Sequence, residues 1–305
     1  MTTPLDLAPP SVRRWFEVQL APEPELTDLR AVASPQVVFR FAGREIAGID
    51  AVIEHLKAMP VRRLADGQWS VLPGGDDRRT TVRITGPGGQ PLPSPGGPMA
   101  AMDFTFTLDA QGLITGLSPQ PHHTEPADLG PALATGQRAP DFTLLDTAGE
   151  PVSLRAGGDA VTVVVFTCNA CPWALGWHDR LQQVANEYSA VGVRMLQING
   201  NDPEISPKDA VEHSRRRVTD GAFAGPYLLD DGQQVARRWG ARHTPDVFVV
   251  DADGIIAYHG APDADAYDES LNARWLRDAL DHVLTGGPAV ADTEPVGCTI
   301  KWTLE

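Results

Sequence analysis

The sequence is poor in cysteine, in basic residues and in long apolar runs, and each shortage excludes a class of protein. Three cysteines in 305 residues are too few for a scaffold that disulfides hold together. No run of about 18 consecutive apolar residues occurs, so nothing in the sequence predicts a membrane-spanning helix. Lys and Arg number 25 against 40 acidic residues, and the net charge of −15 argues against nucleic acid or an anionic membrane as a partner.

The first residues, MTTPLDLAPPSVRRWF, lack the basic-then-apolar order of a secretory signal, so we expect a cytoplasmic protein. In that compartment a close pair of cysteines indicates redox or metal chemistry more often than a structural disulfide. Such a pair, Cys168 and Cys171, lies in VVVFTCNACPW just past the middle of the chain.

The length of the chain suits two domains. A stretch rich in Pro, Gly and Ala, PQPHHTEPADLGPALATGQRAP, has no apolar period and predicts a linker. A second such stretch, residues 85–98, lies between strand-like runs and predicts a long, flexible hairpin loop. The predicted division is a first domain at 1–124, a linker at 125–136, a second domain at 137–287 and a tail with Cys298 at 288–305.

The first half shows helical patterns, a strand, a further helix and then a meander of strands, which predicts an α+β domain. This order, with VVFRFAGREIAGIDAVIEHL early and FTLDAQGLITGLSPQPH at its end, resembles the SnoaL-like cone fold of the nuclear-transport-factor-like class over residues 8–123. The resemblance implies an apolar pocket, and such domains act as cyclases, isomerases or plain binding modules.

Candidates for that pocket are few. Asp103 lies in MAAMDFTF, a strand whose alternation could point it inward, where apolar surroundings would raise the pKa of its carboxyl and let it act as a base. The favoured alternative is an outward, solvated carboxylate. No dyad or triad stands out, so the sequence leaves open whether this domain catalyses a reaction. The candidates are Trp15, Asp103, Asp50, His55 and the pair His122–His123.

In the second half, the run VTVVVFT predicts a central strand that is buried on both faces. This strand ends at Thr167 and delivers Cys168 to the start of a predicted helix, where unpaired N–H groups and the helix dipole favour a thiolate. Cys171 follows three residues later, within the predicted first turn, and Pro172 is tolerated there. The spacing therefore favours a redox dithiol over two inert thiols.

The order strand, Cys-x-x-Cys, helix, strand, helix, Thr-Pro, hairpin and final helix resembles the thioredoxin fold. The segments APDFTLLDTAGEPVSL, FTCNACPW, INGNDPE, HTPDVFVVDADG and PVGCTIKW together resemble the peroxiredoxin-like redoxins of the AhpC/TSA branch, over residues 135–305. The resemblance implies a central mixed sheet flanked by helices and thiol–disulfide exchange, in which Cys168 attacks and Cys171 resolves. It also implies a cis Pro245 after Thr244, packed opposite the dithiol, and no cofactor.

Two rival activities stay open. Peroxiredoxins carry Thr-x-x-Cys, but here Cys168 replaces that Thr and Arg242 is displaced from the expected position, so we expect only weak peroxidase activity. Alternatively, the two cysteines and a nearby His243 or His178 could hold copper or another metal. For the exchange reaction, the expected partner is a protein or small-molecule disulfide, with an electron donor and oligomeric state that the sequence does not give.

The third cysteine, Cys298, lies in the tail segment CTIKWTL. The segment alternates like a strand, with Cys298, Ile300, Trp302 and Leu304 on one side, and an apolar side on a tail implies that the tail docks. Cys298 is then either an idle thiol in a docked strand or a third, resolving thiol that a flexible linker brings to the dithiol.

Overall fold

A computed structural model shows the chain as two compact units, Met1–Thr124 and Glu125–Glu305. The structure describes residues 4–41, 44–58, 64–73, 78–92, 99–123, 125–155, 157–158 and 160–303. Residues 93–98 of the predicted hairpin loop lie outside these ranges. Within the described ranges, every helix is too short or too polar to cross a membrane.

The N-terminal unit combines two helices with a mixed six-stranded sheet. The helices are α1 (Pro10–Leu20) and α2 (Ile49–Ala58), and the strands are β1 (Ala33–Phe41), β2 (Arg44–Ala47), β3 (Gln68–Val71), β4 (Arg79–Thr85), β5 (Met99–Leu108) and β6 (Ile114–His123). The strand order is β2-β1-β6-β5-β4-β3, in which only the β1–β6 pair is parallel. This architecture agrees with the α+β pattern of the sequence.

One face of this sheet packs on the helices. Phe16 of α1 makes edge-on ring contacts with Phe104 and Phe106 of β5. Because side chains alternate along a strand, Asp103 points to the opposite face. The four apolar residues that form a helical stripe in α2 are all buried in the same core, namely Ile49, Val52, Ile53 and Leu56.

The C-terminal unit is built on a seven-stranded sheet with helices. Its strands are β7 (Phe142–Asp146), β8 (Pro151–Leu154), β9 (Thr162–Thr167), β10 (Arg194–Asn199), β11 (Tyr227–Leu229), β12 (His243–Thr244), β13 (Asp246–Val250), β14 (Ile256–Gly260) and β15 (Cys298–Thr299). Its helices are α3 (Pro172–Gly176), α4 (His178–Ser189), α5 (Val211–Thr219), α6 (Gln234–Trp239) and α7 (Arg274–Thr285). Seven of these strands form the large sheet, in the order β14-β13-β9-β10-β11-β7-β8. The other two, β12 and β15, pair with each other.

Strand β9 is central and fully buried, as its continuous apolar run predicts. It pairs in parallel with β10 and antiparallel with β13. Val164 and Phe166 enter a core on one face of the sheet with Trp239 of α6, whereas Val163 and Val165 enter the other core with helices α4 and α7. Burial on both faces holds β9 in place, and the cysteine pair follows directly after this strand.

The helix after the cysteines differs from its prediction. It is interrupted at Trp177, which separates α3 from α4, and it starts at Pro172 with Cys171 as the N-cap residue. The predicted position of Cys171 inside the first turn is therefore wrong. Gly176 ends α3 where a Cβ would lie 2.8 Å from the carbonyl oxygen of Ala266, so only glycine fits this close approach.

The tail docks, as its apolar side predicts. Ile300 and Trp302 are buried in the core that contains Trp239. Thr299 and Lys301, on the other side of the segment, are also buried. Leu304 lies outside the described residues.

The predicted linker at 125–136 and the part of the tail before Cys298, which is expected to be a flexible linker, are both held in the C-terminal unit. Leu129 and Leu133, from the segment 125–136, pack on the same core. Before the tail strand, the Thr293 amide donates to the carbonyl of His259 at 3.0 Å. The tail therefore approaches the cysteines along a fixed path rather than on a flexible tether.

Candidate functional site

The three cysteines form one buried cluster with Ala174 in the C-terminal unit. Cys168, Cys171 and Cys298 are free thiols, and each is at most 5% exposed. Cys168 follows directly on β9, and its Sγ accepts the backbone N–H of Cys171 at 3.2 Å. The Cys-x-x-Cys loop thus folds back on itself so that the amide of one cysteine binds the sulfur of the other.

Thr244 contacts both members of the pair. The Cys168 thiol donates to the Thr244 hydroxyl at 3.4 Å, and the Cys171 thiol donates to the Thr244 carbonyl at 2.8 Å. The Thr244–Pro245 peptide bond is cis, in agreement with the expectation from the resemblance, and Thr244 is fully buried. The sequence-predicted residues Cys168, Cys171, Thr244 and Pro245 are therefore brought together at one place.

The tail strand completes this cluster. β15 pairs antiparallel with β12, which sets Cys298 opposite Thr244. The Cys298 amide donates to the Cys171 Sγ at 3.3 Å, and the Thr244 hydroxyl donates to the Cys298 carbonyl at 3.3 Å. A Cβ on Gly297 would lie 2.3 Å from the Thr244 carbonyl oxygen, so glycine is required for this close pairing.

Asp209 and Ser214, which the sequence interpretation missed, hold the loop between the cysteines through Asn169. The backbone N–H of Asn169 donates to the Asp209 carboxylate at 2.5 Å, and the side-chain amide of Asn169 donates to the Ser214 hydroxyl at 2.8 Å. Asp209 is itself buried and also accepts from Asn201 and Ser206. The one available signal was the polar segment INGNDPEISPKD after β10, which places several acceptors at the end of a central strand.

The three thiols differ in their electrostatic surroundings. A hydrogen bond with Cys171 and burial, reinforced by the charge of Asp209, raise the pKa of the Cys168 thiol well above its ordinary value. Burial raises the pKa of Cys171 to about 11. A hydrogen bond with Cys171 and the charge of Lys301 lower the pKa of Cys298. The expectation that the helix start favours a Cys168 thiolate is therefore wrong, because the hydrogen bond with Cys171, burial and the charge of Asp209 oppose it.

Replacing Asp209 by Asn should lower the pKa of Cys168, because it removes the nearby negative charge that opposes the thiolate. The midpoint of the pH profile for alkylation of Cys168 should move to lower pH, and the rate near neutral pH should rise about threefold to tenfold. Mass spectrometry after iodoacetamide labelling measures both. Asp251→Asn, which removes a carboxylate from the remote β13–β14 turn, is the matched control. An unchanged or upward-shifted midpoint would rule out this role of Asp209.

Other residues considered for this unit do not join the cluster. His178 packs edge-on against the Phe223 ring, and Arg242 donates to Glu125 and to the carbonyls of Gly130 and Gly240. His243 is in β12 beside Thr244, where burial lowers its pKa. Across the described ranges, no three His, Cys, Asp or Glu side chains are arranged to hold a metal.

In the N-terminal unit, Trp15 lies in the closed core, 1% exposed, with its ring edge-on to Phe106. Asp103 is buried on the other sheet face, where Arg83 donates twice at 2.7 Å and His122 Nε2 lies 2.9 Å away. Burial raises the pKa of the Asp103 carboxyl, but Arg83 and His122 outweigh it, and the pKa is lowered. The interpretation of Asp103 as a base with a raised pKa is wrong.

The remaining candidates of this unit are scattered. Asp50 is exposed and pairs with Arg30 at 2.8 Å, whereas the His55 ring packs on Phe39. The side chain of His123 lies outside the described part of the chain. The structure therefore brings Asp103 and His122 together, whereas Trp15, Asp50 and His55 lie apart in the core or at the surface.

Comparisons with known proteins match the C-terminal unit. A family model described as the AhpC/TSA family matches residues 135–259. The thiol-disulfide oxidoreductase ResA of Halalkalibacterium halodurans is 25% identical over 121 residues, which are 40% of this chain and 65% of that protein. The thiol:disulfide interchange protein DsbE of Allochromatium vinosum is 27% identical over 148 residues, covering 46% of this chain and 75% of that protein. The chain thus spans just under two thirds of the first relative.

Among solved structures, an uncharacterized conserved protein of Geobacillus kaustophilus is 34% identical, with a TM-score of 0.53. The similarity covers 56% of this chain and 93% of that one. A hypothetical protein of Sinorhizobium meliloti is 32% identical with a TM-score of 0.52, over 57% of this chain and 97% of that one.

Proposed function

We propose, on the premise that the chain belongs through its C-terminal region to the AhpC/TSA redoxins, that this protein is a thiol–disulfide oxidoreductase. The observation that carries this function is the contact of both Cys168 and Cys171 with Thr244, next to the cis peptide bond. The Cys171 backbone amide binds the Cys168 sulfur, and the two thiols are hydrogen-bonded to each other, so that an intramolecular disulfide needs little rearrangement.

The exchange proceeds in two balanced steps. The Cys168 thiolate attacks one sulfur of a substrate disulfide, which forms a mixed disulfide and releases one substrate thiolate. The Cys171 thiolate then attacks the Cys168 sulfur and releases the second substrate thiolate. The dithiol is oxidised by two electrons, the substrate disulfide is reduced, and the two protons of the dithiol pass to the released thiolates.

Access governs the first step. Cys168 is 2% exposed, Cys298 lies in the same buried cluster, and Trp173 packs against this cluster. A substrate disulfide therefore reaches Cys168 only when one of these neighbours moves. Because burial is a main cause of the raised pKa, the same movement should make the thiolate easier to form.

Peroxide is a weaker substrate in this proposal. Cys168 occupies the position at which peroxiredoxins carry Thr, and Arg242 binds Glu125 rather than the cysteines. We therefore expect hydrogen peroxide to oxidise the protein no faster than a free thiolate.

For the N-terminal unit we propose a SnoaL-like cone that binds a small molecule or a partner. Its support is the order of elements, with helices α1 and α2 against one face of a mixed sheet. Trp15 is enclosed in the core and Asp103 is tied to Arg83, so a ligand would depend on other residues.

An insulin reduction assay tests the proposed activity. The protein, kept reduced by dithiothreitol, should precipitate the insulin B chain faster than dithiothreitol alone. A Cys171→Ser variant should accumulate mixed disulfides on Cys168, which identify the substrates after acid quench. Absence of both acceleration and mixed disulfides would exclude exchange as the function.

A further inference from the structure

The hydrogen bond between Cys298 and the dithiol is about as short as the one between the two cysteines of the dithiol. Its amide donates to the Cys171 Sγ at 3.3 Å, whereas the Cys171 amide donates to the Cys168 Sγ at 3.2 Å. The antiparallel pairing of Thr244 with Cys298 fixes this arrangement from the other side. The sulfur of Cys171 thus lies between two other cysteines.

We propose that Cys298 is a third redox-active thiol, which attacks Cys171 in the oxidised dithiol and moves the disulfide from Cys168–Cys171 to Cys171–Cys298. This role rests on the proposed exchange activity, because that activity produces the Cys168–Cys171 disulfide. The Cys171–Cys298 bond forms, the Cys168–Cys171 bond breaks, and the electron pair leaves on Cys168. One disulfide and one thiolate are present before and after, so the step needs no added oxidant or reductant.

The transfer returns the substrate-attacking cysteine to its reduced form. Cys168 becomes free for a second disulfide while Cys171–Cys298 stores the oxidising equivalents. An external thiol, such as a small thiol or a protein dithiol, then reduces Cys171–Cys298. The tail thereby separates the reaction with substrate, which takes place at Cys168, from the reaction with the reductant, which takes place at Cys171–Cys298.

Lys301 is the positioning residue for this step. Its side chain is 6% exposed, and its ammonium donates to the carbonyl of Thr299 within the same tail segment. Its backbone is fixed because its amide donates to Asn201 at 2.9 Å. The thiolate is the attacking species in exchange, so a fixed positive charge near Cys298 favours attack.

Four groups act on the charge of Cys298. In the reduced protein the hydrogen bond with Cys171 and the charge of Lys301 favour its thiolate, whereas burial, Cys168 and Asp209 oppose it. The net effect lowers the pKa of Cys298. In the oxidised dithiol Cys168 and Cys171 carry no thiol, so Lys301 is the group of this set that still favours the Cys298 thiolate when it attacks.

The contacts decide which variant isolates the transfer. Cys298 touches Cys171, so Cys168→Ser, and not Cys171→Ser, leaves the two reacting partners in place. Mild oxidation of Cys168→Ser with oxidised glutathione, acid quench, proteolysis and disulfide mapping should give mainly Cys171–Cys298. Free thiols at both positions, in a variant whose circular dichroism matches the wild type, would overturn the proposal.

The wild-type chain and Cys298→Ser provide the second arm. Limiting oxidation of the wild type should give Cys168–Cys171 together with a Cys171–Cys298 fraction that Cys298→Ser abolishes. If the wild type forms Cys168–Cys171 and exchanges with insulin but never forms Cys171–Cys298, only the third-thiol role fails. If it forms no Cys168–Cys171 either, the exchange function itself fails.

Lys301→Gln tests the positioning role in the Cys168→Ser background. The rate of Cys171–Cys298 formation near neutral pH should fall about threefold to tenfold, and its pH profile should move upward. At high pH the rates should converge, and Lys301→Arg should restore the profile. Lys208→Gln removes the same charge from an exposed lysine and is the control. A rate that is equally low at every pH would show that Lys301 is only structural.

Discussion

Serine at either Cys168 or Cys171 is expected to lower the rate of insulin reduction by at least about a hundredfold. Without Cys168 the thiol that attacks the substrate disulfide is lost, and without Cys171 the mixed disulfide on Cys168 cannot resolve to a Cys168–Cys171 disulfide. The two effects differ in kind, because only Cys171→Ser should accumulate a covalent complex with the substrate. Turnover by light scattering and trapping on non-reducing gels measure the two effects.

Cys298→Ser is the matched control for this loss, since it makes the same change in the same buried cluster. The first turnover of this variant should stay close to that of the wild type, because Cys168 and Cys171 are both intact. Loss of the first turnover in Cys298→Ser, or retention of it in Cys168→Ser, would show that the roles of the cysteines are assigned wrongly.

Alanine at Gly297 is expected to displace the tail and expose the dithiol. The added Cβ would lie 2.3 Å from the Thr244 carbonyl oxygen and 2.7 Å from its carbonyl carbon. Both are backbone atoms of a buried strand, so the tail rather than Thr244 should give way. Alkylation of Cys168 and Cys171 by iodoacetamide should then accelerate at least about tenfold, because burial no longer shields the thiols.

Gly287→Ala is the control for this substitution. It lies in the same C-terminal segment, and its added Cβ would meet no atom closer than 3.7 Å. Labelling rates of the two variants and the wild type, followed by mass spectrometry of each cysteine, give the comparison. If Gly297→Ala labels at the wild-type rate, the tail does not shield the dithiol as the Thr244–Cys298 pairing implies.

Much of the fold of the C-terminal unit follows from local patterns. The apolar run of β9 predicts a strand buried on both faces, and the Asp-Gly turn between β13 and β14 predicts a hairpin. The apolar stripe after the cysteines predicts one buried helical side, and its residues are buried or partly buried in the same core, namely Trp173, Trp177, Leu181, Val184 and Tyr188. These features depend on residues that are close in sequence, where alternation and helical period report directly on burial.

The parts of the site that could not be predicted depend on contacts between distant segments. Thr244 and Cys298 are 54 positions apart, and no periodicity links them. Asp209 reaches Asn169 across 40 positions, and its charge adds to the hydrogen bond with Cys171 and to the burial that raise the pKa of Cys168. The dipole of the predicted helix favours a lowered pKa for Cys168. The pKa is raised instead, because the dipole is a local effect and distant segments contribute burial and the charge of Asp209.

The prediction for Asp103 in the N-terminal unit is wrong for the same reason, because its partners come from other segments. Asp103 lies on the sheet face opposite Phe104 and is buried there, so both the inward position and the solvated alternative are wrong. Strand alternation cannot show that Arg83 and His122 of neighbouring strands meet the carboxylate. Their hydrogen bonds and charges reverse the effect that burial alone would have on its pKa. A titratable group is therefore assigned safely only when its cross-strand partners are known.

Equilibration of the wild-type protein in glutathione buffers of graded potential tests the exchange function most directly. Acid quench and disulfide mapping at each potential give the oxidised fraction of each cysteine. The expected result is a two-electron transition at which a Cys168–Cys171 disulfide forms, with a midpoint between about −120 and −270 mV. Three free thiols at every potential, in a protein that remains folded, would contradict the assignment of Cys168 and Cys171 as a redox dithiol.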